Sequence, residues 1–131
     1  MDRLLEQSGM EAAQYSPAAL AFIGDAVFTL LVRERLMAQG NCPANKLHSR
    51  AVEEVRCEAQ SAAINIIMPF LTEEEEAVFR RGRNAQTKHA PKNAALADYH
   101  AATGLEALFG YLYLDGQIDR IRQLYGLITA K

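Results

Sequence analysis

Cysteine and histidine are scarce in this chain, and their scarcity removes several kinds of chemistry. Two cysteines, Cys42 and Cys57, and three histidines give no spacing suited to a zinc site or a dithiol redox centre. No nucleophile stands near His48 or His89 in a pattern that suggests a triad, and His100 is expected on a helix surface. The longest apolar run, about fifteen residues around Asp25, is short for a bilayer span and carries a charge at its middle, which predicts a core helix and no membrane partner. With no signal-like start, the two cysteines are expected as free thiols and the protein as cytoplasmic. No stretch alternates apolar and polar residues for long, so strands are not expected. Neither charge sign dominates: 14 basic and 16 acidic residues give a net charge of −2, and a polyanion would need a local basic patch.

What is present is helical periodicity. Half of the 131 residues are hydrophobic, enough for one core, and apolar residues recur at three- and four-residue spacing almost throughout. The reading is a single all-α domain over residues 1–131. Ser16-Pro17 starts a helix that runs through Leu36 to a stop at Gly40-Asn41, expected as the central helix. Pro43 opens a second helix with a stripe of Leu47, Ala51 and Val55. A third begins near Arg56, with Ala59, Ala62, Ala63, Ile66 and Ile67 as its apolar stripe. Thr72 and Glu75 form a capping box, which gives the acidic run Glu73–Glu76 a structural role. A strong helix from about Ala94 to Leu114 stops at Gly116, and a short amphipathic one follows with Ile118, Ile121, Leu124 and Ile128.

Two of these helices carry an acid where none is expected. Asp25 is the single charge in Ala18–Val32, and Glu106 sits in the apolar segment Thr103–Gly110. A buried carboxylate needs a cation or hydrogen-bond donors. Gly24, Ala26, Gly104, Ala107 and Gly110 flank the acids and allow the two helices to approach closely. Glycine destabilises a helix interior by about 1 kcal/mol, so their presence implies a packing or functional need. Two readings stay open: a hard cation such as Mg²⁺ bridges the pair, or each acid is satisfied separately by an arginine or a neighbouring helix.

Between Ala77 and Ala97 there is no acid, while Arg80, Arg81, Arg83, Lys88, His89 and Lys92 accumulate around Gly82 and Pro91. A solvated helix end accounts for part of this. The extension into a Pro- and Gly-containing loop favours phosphate contact, with Arg81, Arg83, Lys88 and Lys92 as the candidate RNA-binding residues.

Phe22-Ile-Gly-Asp-Ala-Val27 resembles the core of the ribonuclease III signature. Leu47-His-Ser-Arg-Ala51, Arg80-Arg-Gly-Arg-Asn-Ala85 and Thr103-Gly-Leu-Glu-Ala-Leu-Phe-Gly-Tyr-Leu-Tyr-Leu114 resemble the bacterial Mini-ribonuclease III subfamily, so that the likeness covers roughly Ser16 to Leu114. The resemblance implies the all-α ribonuclease III endonuclease-domain fold, a homodimer, and Mg²⁺-dependent cleavage of double-stranded RNA, with Mn²⁺ as a substitute metal. It implies Asp25 and Glu106 as catalytic metal ligands, 23S ribosomal RNA precursor as substrate and a ribosomal protein as a further partner. It also implies that no separate double-stranded-RNA-binding domain is present. Full-length ribonuclease III carries two carboxylates on each helix; here Ala21 and Thr103 stand at the other two positions, which predicts weaker metal binding. The rival readings are a catalytically silent RNA-binding or ribosome-assembly module and a helical adaptor for an acidic protein.

Overall fold

The computed structural model of the protein describes residues 3–5, 9–85 and 95–130. Among these residues there are six α-helices and no strand: α1 (Pro17–Ala38), α2 (Ala44–Val55), α3 (Cys57–Ile67), α4 (Glu73–Arg83), α5 (Leu96–Leu114) and α6 (Ile118–Thr129). Short 3-10 turns at Ala12–Gln14 and Met68–Phe70 complete the regular structure.

Local chemistry sets the boundaries. The Ser16 hydroxyl accepts from the Ala19 amide at 3.1 Å, and Pro17 occupies the first turn of α1, where a missing N–H is harmless. One residue, Arg56, separates α2 from α3 by adopting extended backbone, φ −66° and ψ 154°. The capping box of α4 closes with Glu75 N–H donating to Thr72 Oγ1 at 3.1 Å and Thr72 N–H donating to Glu75 Oε1 at 2.9 Å. After α5 the chain turns at Gly116, whose φ of +74° is the left-handed conformation that glycine adopts without strain.

The helix enclosed on every side is α5. Ala102 to Leu105 and Ala107 to Leu112 are all buried, with α1, α3 and α4 packed around them. Phe109, at 0% exposure, meets the edge of Phe28 at a centroid distance of 5.5 Å, and Phe28 in turn meets Tyr125 of α6 at 5.9 Å. The expectation that α1 is the central helix is therefore corrected. It buries Leu20, Phe28, Val32 and Leu36 but leaves Phe22 82% and Leu30 54% exposed. Uniform apolarity marks a helix that is covered on all sides, without saying whether its own chain does the covering.

The stripe of α3 is rotated from expectation as well. Ala63 and Ile67 are buried as read, but Gln60 and Ile64 join them, while Ala62 and Ile66 face outward. The stripes of α2 and α6 fall where the sequence places them: Ala51, Ile121 and Leu124 are buried, and Leu47, Val55, Ile118 and Ile128 pack against the core.

Glu75 shows why the acidic run is structural. Its side chain is 6% exposed, and its carboxylate takes Arg120 Nε and Nη2, each at 2.8 Å, while Nη2 also reaches the Phe70 carbonyl at 2.8 Å. Burial alone would raise the Glu75 carboxyl, but the bonds from Arg120 and Thr72 outweigh it and hold the group below its ordinary value. Truncating Arg120 to alanine strands this buried charge and should remove about 3 kcal/mol of stability at neutral pH. Because the folded carboxyl is lowered, the contribution is present above the unfolded pKa and fades as pH falls through the folded one. Urea unfolding of Arg120→Ala beside the unaltered chain, at neutral and at strongly acidic pH, should show the gap shrinking with acid; a constant gap would contradict the pairing.

Candidate functional site

The site begins at a crossing of two backbones. A Cβ placed on Gly24 of α1 would lie 1.6 Å from the Glu106 carbonyl oxygen, and one on Gly110 of α5 would lie 2.0 Å from the Leu20 carbonyl oxygen. Any side chain at either position would force the helices apart. A second crossing joins α4 to α5: a Cβ on Gly104 would stand 2.6 Å from the Phe79 ring and one on Gly82 would stand 2.7 Å from Ala107 Cβ. Gly24 and Gly110 thus bring α1 and α5 together as the sequence predicts, whereas Gly104 and Ala107 receive α4 and Ala26 is exposed.

The first crossing sets Asp25, next in sequence to Gly24, beside Glu106, close enough for the two carboxyl groups to perturb each other. Their environments differ. Asp25 is exposed on the open face of α1, near Phe22, which corrects the expectation of two buried acids. Glu106 is half-buried. Its surroundings raise its carboxyl to about 8, first through desolvation and then through the neighbouring charge of Asp25, against an opposing bond from Gln60. Two carboxyl groups in contact share a proton or a cation, and the second option is what a hard divalent ion offers.

The donor set fits such an ion. It consists of carboxylate oxygens, and neither acid forms an ion pair among the described residues, so the reading in which arginines satisfy them separately does not hold there. No group of three or more His, Cys, Asp and Glu side chains converges among the described residues, so water and substrate phosphate would have to complete the shell, as Mg²⁺ tolerates. Ala21 and Thr103, where the resemblance leads one to look for further acids, supply no carboxylate: Ala21 is buried, and the Thr103 hydroxyl donates to the Tyr99 carbonyl at 3.0 Å.

Two residues of the site were not read from the sequence. Gln60 is 1% exposed and its Nε2 donates to Glu106 Oε2 at 3.4 Å. The sequence signal was a single amide on an otherwise apolar helix stripe. Cys57, one turn earlier on α3, lies within electrostatic reach of Glu106, and its thiol is raised by burial, then by Glu58 and Glu106. It is a protonated neighbour, poorly suited to ligation.

The basic residues divide. Arg81 and Arg83 are exposed in the last turn of α4, the helix end that the sequence left open for this part of the basic segment. Arg83 sits 5.6 Å from the Phe79 ring centroid and donates from Nε to Asn84 Oδ1 at 3.2 Å, whereas Arg80 is paired with Glu76 at 3.0 Å. Arg81 has no ion-pair partner among the described residues. Lys88, His89 and Lys92 lie outside the described residues. His100 is not a simple surface residue: its Nδ1 is buried with no hydrogen-bond partner among the described residues, and its ring meets Tyr99 edge-on at 5.8 Å.

Comparison with known proteins places this geometry. Residues 18–117 match the ribonuclease III domain family. The chain is 49% identical over 108 residues to the Mini-ribonuclease 3 of Symbiobacterium thermophilum, covering 82% of this chain and 83% of that one. It is 45% identical over 112 residues to the Mini-ribonuclease 3 of a Thermoanaerobacter species, with 86% and 79% covered. A crystal structure of a protein from Fusobacterium nucleatum superposes with a TM-score of 0.81 at 28% identity, covering 92% of this chain and 96% of that one.

The raised Glu106 carboxyl has a measurable consequence. The folded protein binds a proton there that the unfolded chain releases above about 4.5, so without metal the group makes stability fall as pH rises from that value to about 8. Glu106→Gln removes the dependence. In chelator, its unfolding temperature should exceed that of the unaltered chain by several degrees at alkaline pH and converge with it near the unfolded carboxylate pKa. A difference that does not grow with pH would count against the assignment.

Proposed function

The chain belongs to the ribonuclease III family, as an endoribonuclease like its Mini-ribonuclease 3 relatives, and on that premise we propose that it cuts double-stranded RNA with Asp25 and Glu106 as the metal-holding catalytic acids. The observation that carries this reading is the contact between the two carboxyl groups across the glycine crossing of α1 and α5. Mg²⁺, or Mn²⁺ in its place, is the proposed cofactor.

When bound, such an ion supplies an activated water for in-line attack on the phosphodiester and neutralises charge on the departing 3′ oxygen. The protein's own contribution follows from the two environments. Glu106 holds its proton until a cation replaces it, and Asp25, on the open face, is the acid accessible to incoming phosphate. The products would carry 5′-phosphate and 3′-hydroxyl ends.

Arg81 and Arg83 at the exposed end of α4 are proposed as phosphate contacts, with Lys88 and Lys92 continuing the basic segment. The whole chain acts as one catalytic domain in this reading. No described helix is long and apolar enough to cross a membrane, and the proposed setting is the cytoplasm. The proposed substrate is the duplex at the termini of 23S ribosomal RNA precursor, with a ribosomal protein as an assisting partner. The exposed apolar face of α1, with Phe22 and Leu30 beside Asp25, supports a homodimer whose twofold contact is this helix. Two copies would set one site against each strand of an A-form duplex.

Cleavage of a duplex spanning the paired 23S termini in Mg²⁺ tests the reading, with duplex binding followed in parallel. The chain should cut, whereas Asp25→Asn and Glu106→Gln should bind without cutting. Arg81→Ala should lower the salt dependence of binding by about one unit of slope. Binding without cleavage, in Mn²⁺ as well, would establish the silent module instead, and no affinity for duplex RNA would leave the helical adaptor.

Sedimentation at micromolar concentration addresses the dimer. The chain should run as two copies and Phe22→Asp as one, with helicity retained; a monomeric unaltered chain would refute the α1 contact.

A further inference from the structure

Helix α3 turns Gln60, Ala63, Ile64 and Ile67 into the core. Three of the four need no explanation. An amide at 1% exposure does, because a buried donor left unpaired costs roughly 1–3 kcal/mol and a leucine of similar size would fill the same space without that penalty. Its side chain makes one hydrogen bond among the described residues, from Nε2 to Glu106 Oε2 at 3.4 Å, near the long end of the range.

That bond ties α3 to the acid that α5 brings to Asp25, and it does so with a group that carries no charge. A second carboxylate at this depth would repel Glu106, while an arginine would neutralise it and displace a metal ion. A carboxamide donor instead fixes one oxygen of Glu106 and leaves the negative charge available. The positions Ala21 and Thr103 give the site no further carboxylate, so the orientation of Glu106 matters more than it would among four acids.

We propose that Gln60 is a positioning residue for Glu106, holding its carboxylate in the orientation that receives the divalent ion together with Asp25. This rests on the metal-bound reading of the acid pair given above. The role is indirect: Gln60 acts through Glu106 and touches neither substrate nor reacting atoms.

Mn²⁺ binding to the RNA-free protein, read by the loss of the free-ion electron paramagnetic resonance signal, tests it without recourse to activity. The proteins compared are the unaltered chain, Gln60→Leu, Gln60→Met and Glu106→Gln, each with its metal-free unfolding temperature. Both Gln60 variants should weaken Mn²⁺ about tenfold while unfolding no earlier than the unaltered chain, since an apolar isostere fits a core site. In cleavage, the half-saturating Mg²⁺ concentration should rise by a similar factor, with less change in the rate at saturating metal. Unaltered Mn²⁺ affinity in the two variants would overturn the proposal and leave Gln60 a packing residue. Weaker binding only in step with a lowered unfolding temperature would overturn it too. If Glu106→Gln also binds Mn²⁺ as the unaltered chain does, the acid pair is not the metal site, and the proposed function falls together with the role of Gln60.

Discussion

Everything at the site depends on how near two helix axes can come. Gly24 sits against the Glu106 carbonyl and Gly110 against the Leu20 carbonyl, each closer than any side chain would permit. Ordinary helix pairs are held about 8–10 Å apart by the side chains between them, and glycine at both contact points lets these two backbones come closer. The glycines lower the helical propensity of α1 and α5, and burial of the apolar surface around them compensates. Phe28, Leu105, Leu108 and Phe109, all 2% exposed or less, form the anchoring core on either side of the crossing.

Contact between two acids is an unfavourable arrangement that the fold imposes. The result is a carboxyl group, Glu106, raised to about 8 by burial and by Asp25. Elsewhere the same molecule solves the problem of a buried acid differently, giving the Glu75 carboxylate a two-toothed arginine and the Thr72 N–H of its capping box. The contrast separates structure from chemistry. Glu75 is neutralised by its arginine, whereas Glu106 has an amide donor and no ion-pair partner among the described residues.

The open face of α1 belongs to the same design. Phe22, Ala26 and Leu30 remain uncovered beside Asp25, so the acid lies at the border between the chain's own core and whatever approaches it. The last turn of α4, which also packs on α5, displays arginines that differ in freedom: Arg80 is paired, Arg83 leans on an aromatic ring and Arg81 is unpaired among the described residues. Periodicity could not rank them, because all three lie within one turn and a half of the helix.

By itself the sequence determined the helices and their ends, since these rest on neighbours in the chain: Ser16 with Pro17, Thr72 with Glu75, and Gly116 at its turn. It also determined that Asp25 and Glu106 are anomalous, because a charge in an apolar helix is visible without a partner. The tertiary structure alone decided which helix is enclosed, as α1 and α5 are similarly apolar and only packing shows that α5 is surrounded. It decided which face of α3 turns inward, and so brought Gln60, 46 residues away in the chain, to Glu106. Local patterns encode what a residue tolerates, whereas the choice among tolerated surroundings is made by contacts between distant segments, and those form only when the whole core assembles.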